Sequence, residues 1–290
     1  MANEPSPVAF ANPPLGTANP NKALWEKGDF TRIAASMRES GEALVKAAGV
    51  TRGMKVLDLG CGDGTTALPA ARLGANVLGV DIARNLVEAG NRRAAAEGLA
   101  NLRFMEGDAC DLSPLENGSF DRVVSVFGAM FAPKPMDVAR EMVRVTRSGG
   151  RVVMGNWIPG DPTLVAQILK TCSAYTPPPP EGFVSPMAWG LEDKVAERFG
   201  AAGVAPDRIQ CTKDTYTFNF SGTPVEFVDA FLRYYGPTMN ALEAAEKNGK
   251  GQALRKELEA LFARENRSTD PATTSIPATF LRVTVSVEGR

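Results

Sequence analysis

The chain has 290 residues, a length that suits one large α/β domain or such a domain with an added cap. Its net charge of −1 gives no general attraction to nucleic acid or to an anionic membrane, so neither is an expected partner. The chain contains no histidine, which excludes Ser-His-Asp and Cys-His nucleophiles and any histidine-bound metal. Its four cysteines have neither C-x-x-C nor zinc spacing, so we expect no metal site and a reducing compartment.

The N-terminal residues 1–21 are rich in Pro, Asn and Ala and predict an extended arm. They lack the pattern of a signal peptide, because no Lys or Arg precedes Lys22. No apolar run approaches the ~20 residues of a membrane span. We therefore expect a cytoplasmic protein.

Residues 22–50 are expected to form an N-terminal helical lid. Apolar residues at helical spacing predict helix from Asp29 to Val50, broken at Ser40-Gly41. Trp25 and Phe30 open this region, and a helix that carries them could close over a binding site.

Residues 51–157 alternate strands with helices, which predicts a parallel, doubly wound core sheet. The predicted strands are Lys55–Leu59, Val77–Asp81, Leu102–Glu106, Asp121–Val126 and Arg151–Trp157. The predicted helices are Thr65–Leu73, Arg84–Glu97 and Met136–Thr146.

The alternation fails after residue 157. Residues 158–275 are expected to combine a remaining core strand and helix with helices that cap the substrate, and residues 276–290 to form an antiparallel C-terminal edge strand. The fold class is thus expected to be α/β, with a doubly wound, Rossmann-like seven-stranded sheet, an antiparallel last strand and helical cap elements. The features that carry this interpretation are the extended run Pro177–Pro180, helix Leu191–Ala202, strand Ile209–Phe220, a capping box at Thr223 opening a helix to Tyr235, helix Gln252–Arg264 and the alternating run Phe280–Val287.

The most informative segment is a glycine-rich turn directly after the first predicted strand. Gly60, Gly62 and Gly64 stand at alternate positions, and glycine permits both a sharp turn and close approach of a ligand. Asp81 ends the second strand, 19 residues after Gly62 (81 − 62), where a carboxylate can accept both hydroxyls of a ribose. These features predict a nucleotide-type binding site.

Two kinds of cofactor use such a turn. The dinucleotide fingerprint G-x-G-x-x-G, read from Gly60, would need glycine at Thr65, and the charge of Asp63 is expected to repel a diphosphate but to tolerate a cation. The run from Asp58 to Gly64 resembles the first motif of class I S-adenosylmethionine-dependent methyltransferases. The helix at 140–145, followed by a glycine pair, resembles the subgroup that contains the ubiquinone and menaquinone biosynthesis enzymes.

The resemblance implies S-adenosyl-L-methionine as the cofactor. By position, the acid and glycines of the first motif would hold its methionyl part, and Asp81 would bind the ribose. Asp108, after the third strand, would accept the adenine amino group. The residues expected to bind the cofactor are Asp58, Gly60, Cys61, Gly62, Asp81, Ile82, Asp108, Ala109 and Phe127.

The expected reaction is methyl transfer to an O, N, S or C atom of a small, partly apolar or aromatic metabolite. Candidate walls of the reaction site are Phe127 and Phe131 after the fourth strand and Tyr234 and Tyr235 in the cap. The base, if one is used, could be a carboxylate, tyrosine, lysine, cysteine or water; alternatively, the acceptor is nucleophilic unaided. An NAD(P)-dependent oxidoreductase and a non-catalytic S-adenosylmethionine-binding protein remain alternatives, and the acceptor and oligomeric state stay open.

Overall fold

The computed structural model describes residues 19 and 21–288. The strands in this part of the chain are β1 (Lys55–Leu59), β2 (Asn76–Asp81), β3 (Leu102–Glu106), β4 (Phe120–Val126), β5 (Thr146–Trp157), β6 (Ile209–Phe220) and β7 (Thr274–Ser286). The α-helices are α1 (Asn21–Glu26), α2 (Thr31–Ala34), α3 (Arg38–Ala47), α4 (Ala67–Arg72), α5 (Arg84–Ala96), α6 (Pro135–Val145), α7 (Leu164–Ser173), α8 (Glu192–Ala201), α9 (Pro224–Tyr234), α10 (Gly236–Lys247) and α11 (Gly251–Glu265).

The seven strands form one sheet in the order β3-β2-β1-β4-β5-β7-β6. Strands β1 to β5 pair in parallel, and β7 runs antiparallel to both β5 and β6. This confirms the doubly wound, Rossmann-like fold with an antiparallel last strand. Strands β1 and β2 are buried over nearly their whole length, as expected for parallel strands with both faces covered by helices.

The prediction that the last strand lies at the sheet edge is wrong. Strand β7 lies between β5 and β6, and β6 forms the edge. Alternation of buried and exposed residues reports which face of a strand is covered, but it does not report how many neighbours the strand has. The edge position suits β6, because its first half carries mostly exposed or half-buried polar side chains.

The N-terminal helices begin and end at other residues than the sequence indicates. The predicted break at Ser40-Gly41 is wrong, because both residues lie within α3. The irregularity instead falls at a 3-10 turn, Ala35–Met37, between α2 and α3. The predicted arm lies outside the described residues except for Asn19 and Asn21, and Asn21 is already the first residue of α1.

The region after β5 contains the predicted cap helices and two helices that the sequence pattern did not reveal, α7 and α10. The predicted capping box is confirmed: the Thr223 hydroxyl accepts the Glu226 N–H, and the Glu226 carboxylate accepts the Thr223 N–H. Helices α7, α9, α10 and α11 pack on one another, and α9 and α10 contact α2 and α1. None of the helices that the structure describes is long and apolar enough to span a membrane.

Candidate functional site

The glycine turn lies at the carboxyl end of β1 and packs directly against the loop after β4. Gly60 and Gly62 have φ values of 69° and 54°, which favour glycine. A Cβ atom on Gly60 would lie 2.6 Å from the Cα of Gly128, and one on Gly128 would lie 2.3 Å from the carbonyl oxygen of Gly60. Because neither Gly60 nor Gly128 has room for a side chain, the backbones of the two loops together form the floor of the site.

A buried serine fixes this contact between the two loops. The Ser125 hydroxyl donates to the carbonyl oxygen of Leu59 at 2.6 Å and accepts the N–H of Ala129 at 2.9 Å. The single hydroxyl thus joins the end of β1 to the turn after β4. Its burial strengthens both hydrogen bonds and holds the floor of the site in place.

A cavity opens above this floor, and its interior together with the solvent space at its mouth amounts to about 610 Å³. It lies at the carboxyl ends of β1, β2 and β3, where open α/β sheets bind ligands. The residues that line it are Asn19, Asn21, Trp25, Phe30, Leu59, Gly60, Gly62, Val80, Asp81, Ile82, Leu86, Gly107, Asp108, Ala109, Gly128, Ala129, Phe131 and Ala132.

Two buried carboxylates support the glycine turn. Asp81 accepts the N–H of Gly62 at 2.8 Å and the N–H of Ala83 at 2.9 Å. Burial raises the pKa of Asp81, and these hydrogen bonds oppose the rise. Asp58 lies deeper, and burial raises its pKa to about 7, although the Thr66 hydroxyl donates to Oδ2 and opposes this rise. The Oδ1 atom of Asp58 has no hydrogen-bond partner among the described residues.

Asp108 lies at the rim of the cavity beyond β3. Its Oδ1 accepts the N–H of Cys110 at 2.8 Å, and its Oδ2 accepts the side-chain amide of Asn19 at 3.0 Å. The carboxylate is therefore oriented by the backbone and is already in contact with the N-terminal segment. Nothing in the residue pattern around Asn19 indicated this contact.

The N-terminal helices form one wall of the cavity. The Trp25 ring meets the ring of Phe131 edge-on at 4.9 Å, and it lies 5.8 Å from the ring of Phe30. Tyr235 lies 6.0 Å from each of the rings of Trp25 and Phe30. The Lys22 ammonium pairs with the Glu106 carboxylate at the end of β3. The wall is thus fastened to the sheet and to the cap helices.

Asp63 does not face the cavity. Its carboxylate pairs with the guanidinium groups of Arg38 and Arg93, so its charge is compensated within the protein. Asp63 is therefore not placed to repel a diphosphate, contrary to expectation, because a sequence pattern does not show the direction of a side chain within a turn.

The structure brings together most of the predicted cofactor residues. Those that line the cavity are Gly60, Gly62, Asp81, Ile82, Asp108 and Ala109. Asp58 and Cys61 lie behind the turn, and the Cys61 side chain is buried in the core. Sequence reasoning missed Asn19, Asn21, Leu59, Val80, Leu86, Gly107, Gly128, Ala129 and Ala132. Of these, only Gly128 could have been found from the sequence, because a glycine almost directly after a buried strand indicates a turn at the carboxyl end of the sheet.

The predicted reaction-site aromatics separate into two groups. Phe131 lines the cavity, whereas Phe127 has a φ of 56° and stacks on Trp157 at 3.6 Å within the core. Tyr235 touches the aromatic wall from behind, and Tyr234 packs half-buried beside it. None of Phe127, Tyr234 and Tyr235 is among the residues that line the cavity. Within residues 19 and 21–288, no group of three acidic or cysteine side chains could hold a metal ion.

The sequence is similar to methyltransferases and to proteins of unassigned activity. Residues 57–154 match the family model described as a methyltransferase domain. The chain is 35% identical over 228 residues to the uncharacterized protein Rv1403c of Mycobacterium tuberculosis, an alignment that covers 77% of this chain and 80% of that protein. It is 35% identical over 143 residues to methyltransferase GfsG of Streptomyces halstedii, covering 48% of this chain and 51% of GfsG.

A solved structure shares the fold. Haemonchus contortus phosphoethanolamine N-methyltransferase 2, solved with phosphomonomethylethanolamine and S-adenosylhomocysteine, has a TM-score of 0.54 at 18% identity, over 87% of this chain and 53% of that one. The sequence match spans the glycine turn, Asp81 and Asp108, which are the residues around which the cavity is built. Residues 57–154 therefore form a methyltransferase domain, and the seven-stranded sheet with its antiparallel last strand is the fold of the class I S-adenosylmethionine-dependent methyltransferases.

Proposed function

We propose that this protein transfers a methyl group from S-adenosylmethionine to a nucleophilic atom of a small, partly apolar or aromatic metabolite. The observation that carries the proposal is the cavity itself. Its lining combines Asp81 and the bare backbone of Gly60 and Gly62 with the aromatic side chains of Trp25, Phe30 and Phe131.

The described residues fit the cofactor. The turn presents the backbone of Gly60 and Gly62 to the cavity, while the Cys61 side chain between them is buried in the core, so the methionyl part of the cofactor can lie against backbone. The unpaired Oδ1 of Asp58 lies directly behind this turn, and a buried carboxylate oxygen without a donor is costly. A cationic ammonium group near the turn would offset that cost.

The nucleoside end is proposed to lie along β2 and β3. Asp81 has lone pairs left for the ribose hydroxyls after accepting its two backbone N–H groups. Ile82 offers an apolar contact to the adenine face, and Asp108 and Ala109 offer an acceptor and an N–H to its edge. The proposed adenine acceptor, Asp108, is held in place by the N–H of Cys110.

The cofactor, when bound, supplies an electrophilic methyl group on a sulfonium. The chain contributes alignment and exclusion of water, which together can lower a barrier by roughly 7–11 kcal/mol in favourable cases. Trp25, Phe30 and Phe131 form the wall that shields the reaction site from solvent. Their ring faces also attract a cation.

Among the described residues that line the cavity, no side chain other than those of Asp81 and Asp108 is suited to act as a general base. The carboxylates among its lining residues are Asp81 and Asp108, and both lie at the end proposed for the nucleoside. We therefore propose that the acceptor enters as a competent nucleophile, such as a thiolate, a phenolate or a free amine.

The binding test is calorimetric titration of S-adenosylmethionine and S-adenosylhomocysteine into the wild type and Asp81→Asn, with NAD as the control ligand. We expect micromolar binding of both sulfur compounds and none of NAD. Loss of one charge-assisted ribose contact, about 1.5–3 kcal/mol, predicts at least tenfold weaker binding by the variant. Binding of NAD alone would contradict the proposal.

Turnover separates an enzyme from a non-catalytic binder. Release of S-adenosylhomocysteine is measured with a panel of small aromatic thiols, phenols and amines. We expect release that depends on both the acceptor and the protein. Tight cofactor binding without release for any member of a broad panel would favour the non-catalytic alternative.

A further inference from the structure

Asp63 stands inside the glycine turn, yet its carboxylate faces away from the cavity and into a cluster of two arginines. Its side chain is only 2% exposed. The Arg38 guanidinium donates to Oδ1 at 2.9 Å and to Oδ2 at 2.5 Å, which is a bidentate pair. Arg38 also donates to the hydroxyl of Thr65, so it holds two residues of the turn at once.

Arg93 completes the cluster from a second helix. It projects from α5, and its Nη1 lies 3.5 Å from Oδ2 of Asp63. The same nitrogen donates to the backbone carbonyl oxygen of Asp63 at 2.6 Å. Both the side chain and the backbone of Asp63 are therefore fixed, and the two arginines provide more positive charge than one carboxylate needs.

The turn requires such a constraint because its sequence has little intrinsic preference for one conformation. Gly60, Gly62 and Gly64 all have positive φ values, and glycine loses more conformational entropy on ordering than any other residue. Gly62, next to Asp63, donates its N–H to Asp81. A shift at Asp63 would therefore move the N–H that orients the carboxylate proposed to bind ribose.

Arg38 also connects the turn to the N-terminal wall of the cavity. It is the first residue of α3, which follows α2 through the short 3-10 turn, and Phe30 immediately precedes α2. Helix α3 packs tightly on the turn, because a Cβ on Gly41 would lie 2.6 Å from the carbonyl oxygen of Thr65. The helix that carries Arg38 and the turn that carries Asp63 thus behave as one packed unit.

We infer that Asp63 is a positioning residue. Through Arg38 and Arg93 it pre-organises the glycine turn for the cofactor and ties the N-terminal helices to that turn. The inference rests on the proposed function, because the ligand that benefits from the ordered turn is S-adenosylmethionine. It assigns no contact between Asp63 and the ligand.

The test compares Asp63→Asn with Asp121→Asn. Asp121 also pairs with an arginine, Arg147, and accepts the backbone N–H of Lys55. It lies at the start of β4, at the opposite end of the sheet from the cavity. Both variants lose one ion-paired carboxylate, so both are expected to unfold at lower temperature.

Two measurements distinguish positioning from stability. We expect Asp63→Asn to bind S-adenosylhomocysteine about tenfold more weakly than the wild type. Without ligand, the backbone amides of residues 60–66 should exchange hydrogen faster in this variant than in the wild type. When both proteins are saturated with ligand, the two exchange rates should be equal. Asp121→Asn should keep wild-type affinity and exchange in that segment. Arg38→Lys keeps the charge but loses the bidentate geometry, so its affinity should fall between wild type and Asp63→Asn.

The outcomes separate this inference from the proposed function. If the wild type itself fails to bind S-adenosylhomocysteine, the proposed function is contradicted. If the wild type binds and Asp63→Asn binds equally well with unchanged exchange at 60–66, the positioning role is wrong. If Asp121→Asn loses affinity to the same degree, the effect is one of general stability, and the inference is likewise overturned.

Discussion

Gly60 and Gly128 lie backbone against backbone, and this contact closes the floor of the candidate site. A Cβ on Gly60 would approach the Cα of Gly128 to 2.6 Å and the amide nitrogen of Ala129 to 2.9 Å. The carboxyl ends of β1 and β4 are consequently closer than any pair of side-chain-bearing residues would permit. The floor of the cavity is backbone for this reason, which leaves its volume to a ligand.

The cost of losing that contact can be separated from the cost of backbone strain. Gly60→Ala must adopt a φ near 69° and must also push the two loops apart. Gly160→Ala has a similar φ of 72° but nothing within 4 Å of its new methyl group, so it reports strain alone.

We expect Gly160→Ala to lose about 1–2 kcal/mol of unfolding free energy. Gly60→Ala should lose roughly 1–3 kcal/mol more, because its methyl group overpacks a fixed contact, and it should also lose cofactor affinity. Urea denaturation and calorimetry give the two quantities. Equal losses in the two variants would show that the loops can separate freely.

The raised pKa of Asp58 predicts an unusual dependence of stability on pH. An aspartate in the unfolded chain has a pKa near 3.9, whereas burial places that of folded Asp58 at about 7. Between about pH 4 and pH 7 the folded protein therefore holds a proton that the unfolded chain has released. The contribution of this group to stability falls as pH rises through that window, by about 1.4 kcal/mol per pH unit, and is constant above pH 7.

Asp58→Asn removes this titration while keeping the shape of the side chain. Relative to wild type, we expect the variant to become progressively more stable as the pH of a urea denaturation series is raised from 5 to 7, and the difference to level off by pH 8. Asp81, whose pKa burial also raises, is present in both proteins, but its charge contributes to the raised pKa of Asp58, so the difference reports Asp58 together with its interaction with Asp81. Parallel stability curves for the two proteins would mean that Asp58 does not titrate in this range.

Much of this site could be predicted because its residues follow strand ends. In a parallel sheet, the carboxyl ends of neighbouring strands meet at one edge, so Asp81 and Asp108 had to come close once β2 and β3 were recognised. The bounds of β1 and β6 also agree with their apolar and alternating patterns. These features depend on the short-range spacing of apolar and polar residues, which can be read directly from the sequence.

The features that could not be predicted depend on side-chain directions, long-range contacts and strand pairing, which the periodicity of the sequence does not encode. Phe127 follows the end of β4 much as Asp108 follows the end of β3, but its φ is 56° and its side chain stacks on Trp157, away from the cavity. Asn19 reaches Asp108 from 89 residues away, through a segment with no periodic pattern. The place of β7 in the sheet is set by its pairing with β5, and alternation alone is compatible with either position.

Asn19 and the adenine of the cofactor are expected to compete for Asp108. The Asn19 amide donates to Oδ2 at 3.0 Å, where the adenine amino group is proposed to donate. Asn19→Ala removes the competitor, and one hydrogen bond of about 0.5–1.5 kcal/mol predicts roughly two- to tenfold tighter binding of S-adenosylhomocysteine.

A double-mutant cycle tests the cause of that change. In an Asp108→Asn background the carboxylate is absent, so Asn19→Ala should change the affinity little. Calorimetric titration of the wild type, both single variants and the double variant gives the interaction free energy between Asn19 and Asp108 in ligand binding. Weaker binding by Asn19→Ala in the wild-type background would instead assign Asn19 a direct contact with the ligand.

Trp25 should report ligand binding through its fluorescence. The chain has three tryptophans; Trp157 and Trp189 are buried in the core, whereas Trp25 is half-buried and lines the cavity against Phe131. Titration with S-adenosylhomocysteine is therefore expected to change the emission of the wild type. The change should disappear in Trp25→Phe and persist in Trp189→Phe, whose lost indole packs against Arg198 and Phe199. If Trp25→Phe still showed the full signal while binding the ligand normally, the N-terminal helix would not close over the occupied site, and the wall that excludes water would have to come from elsewhere in the chain.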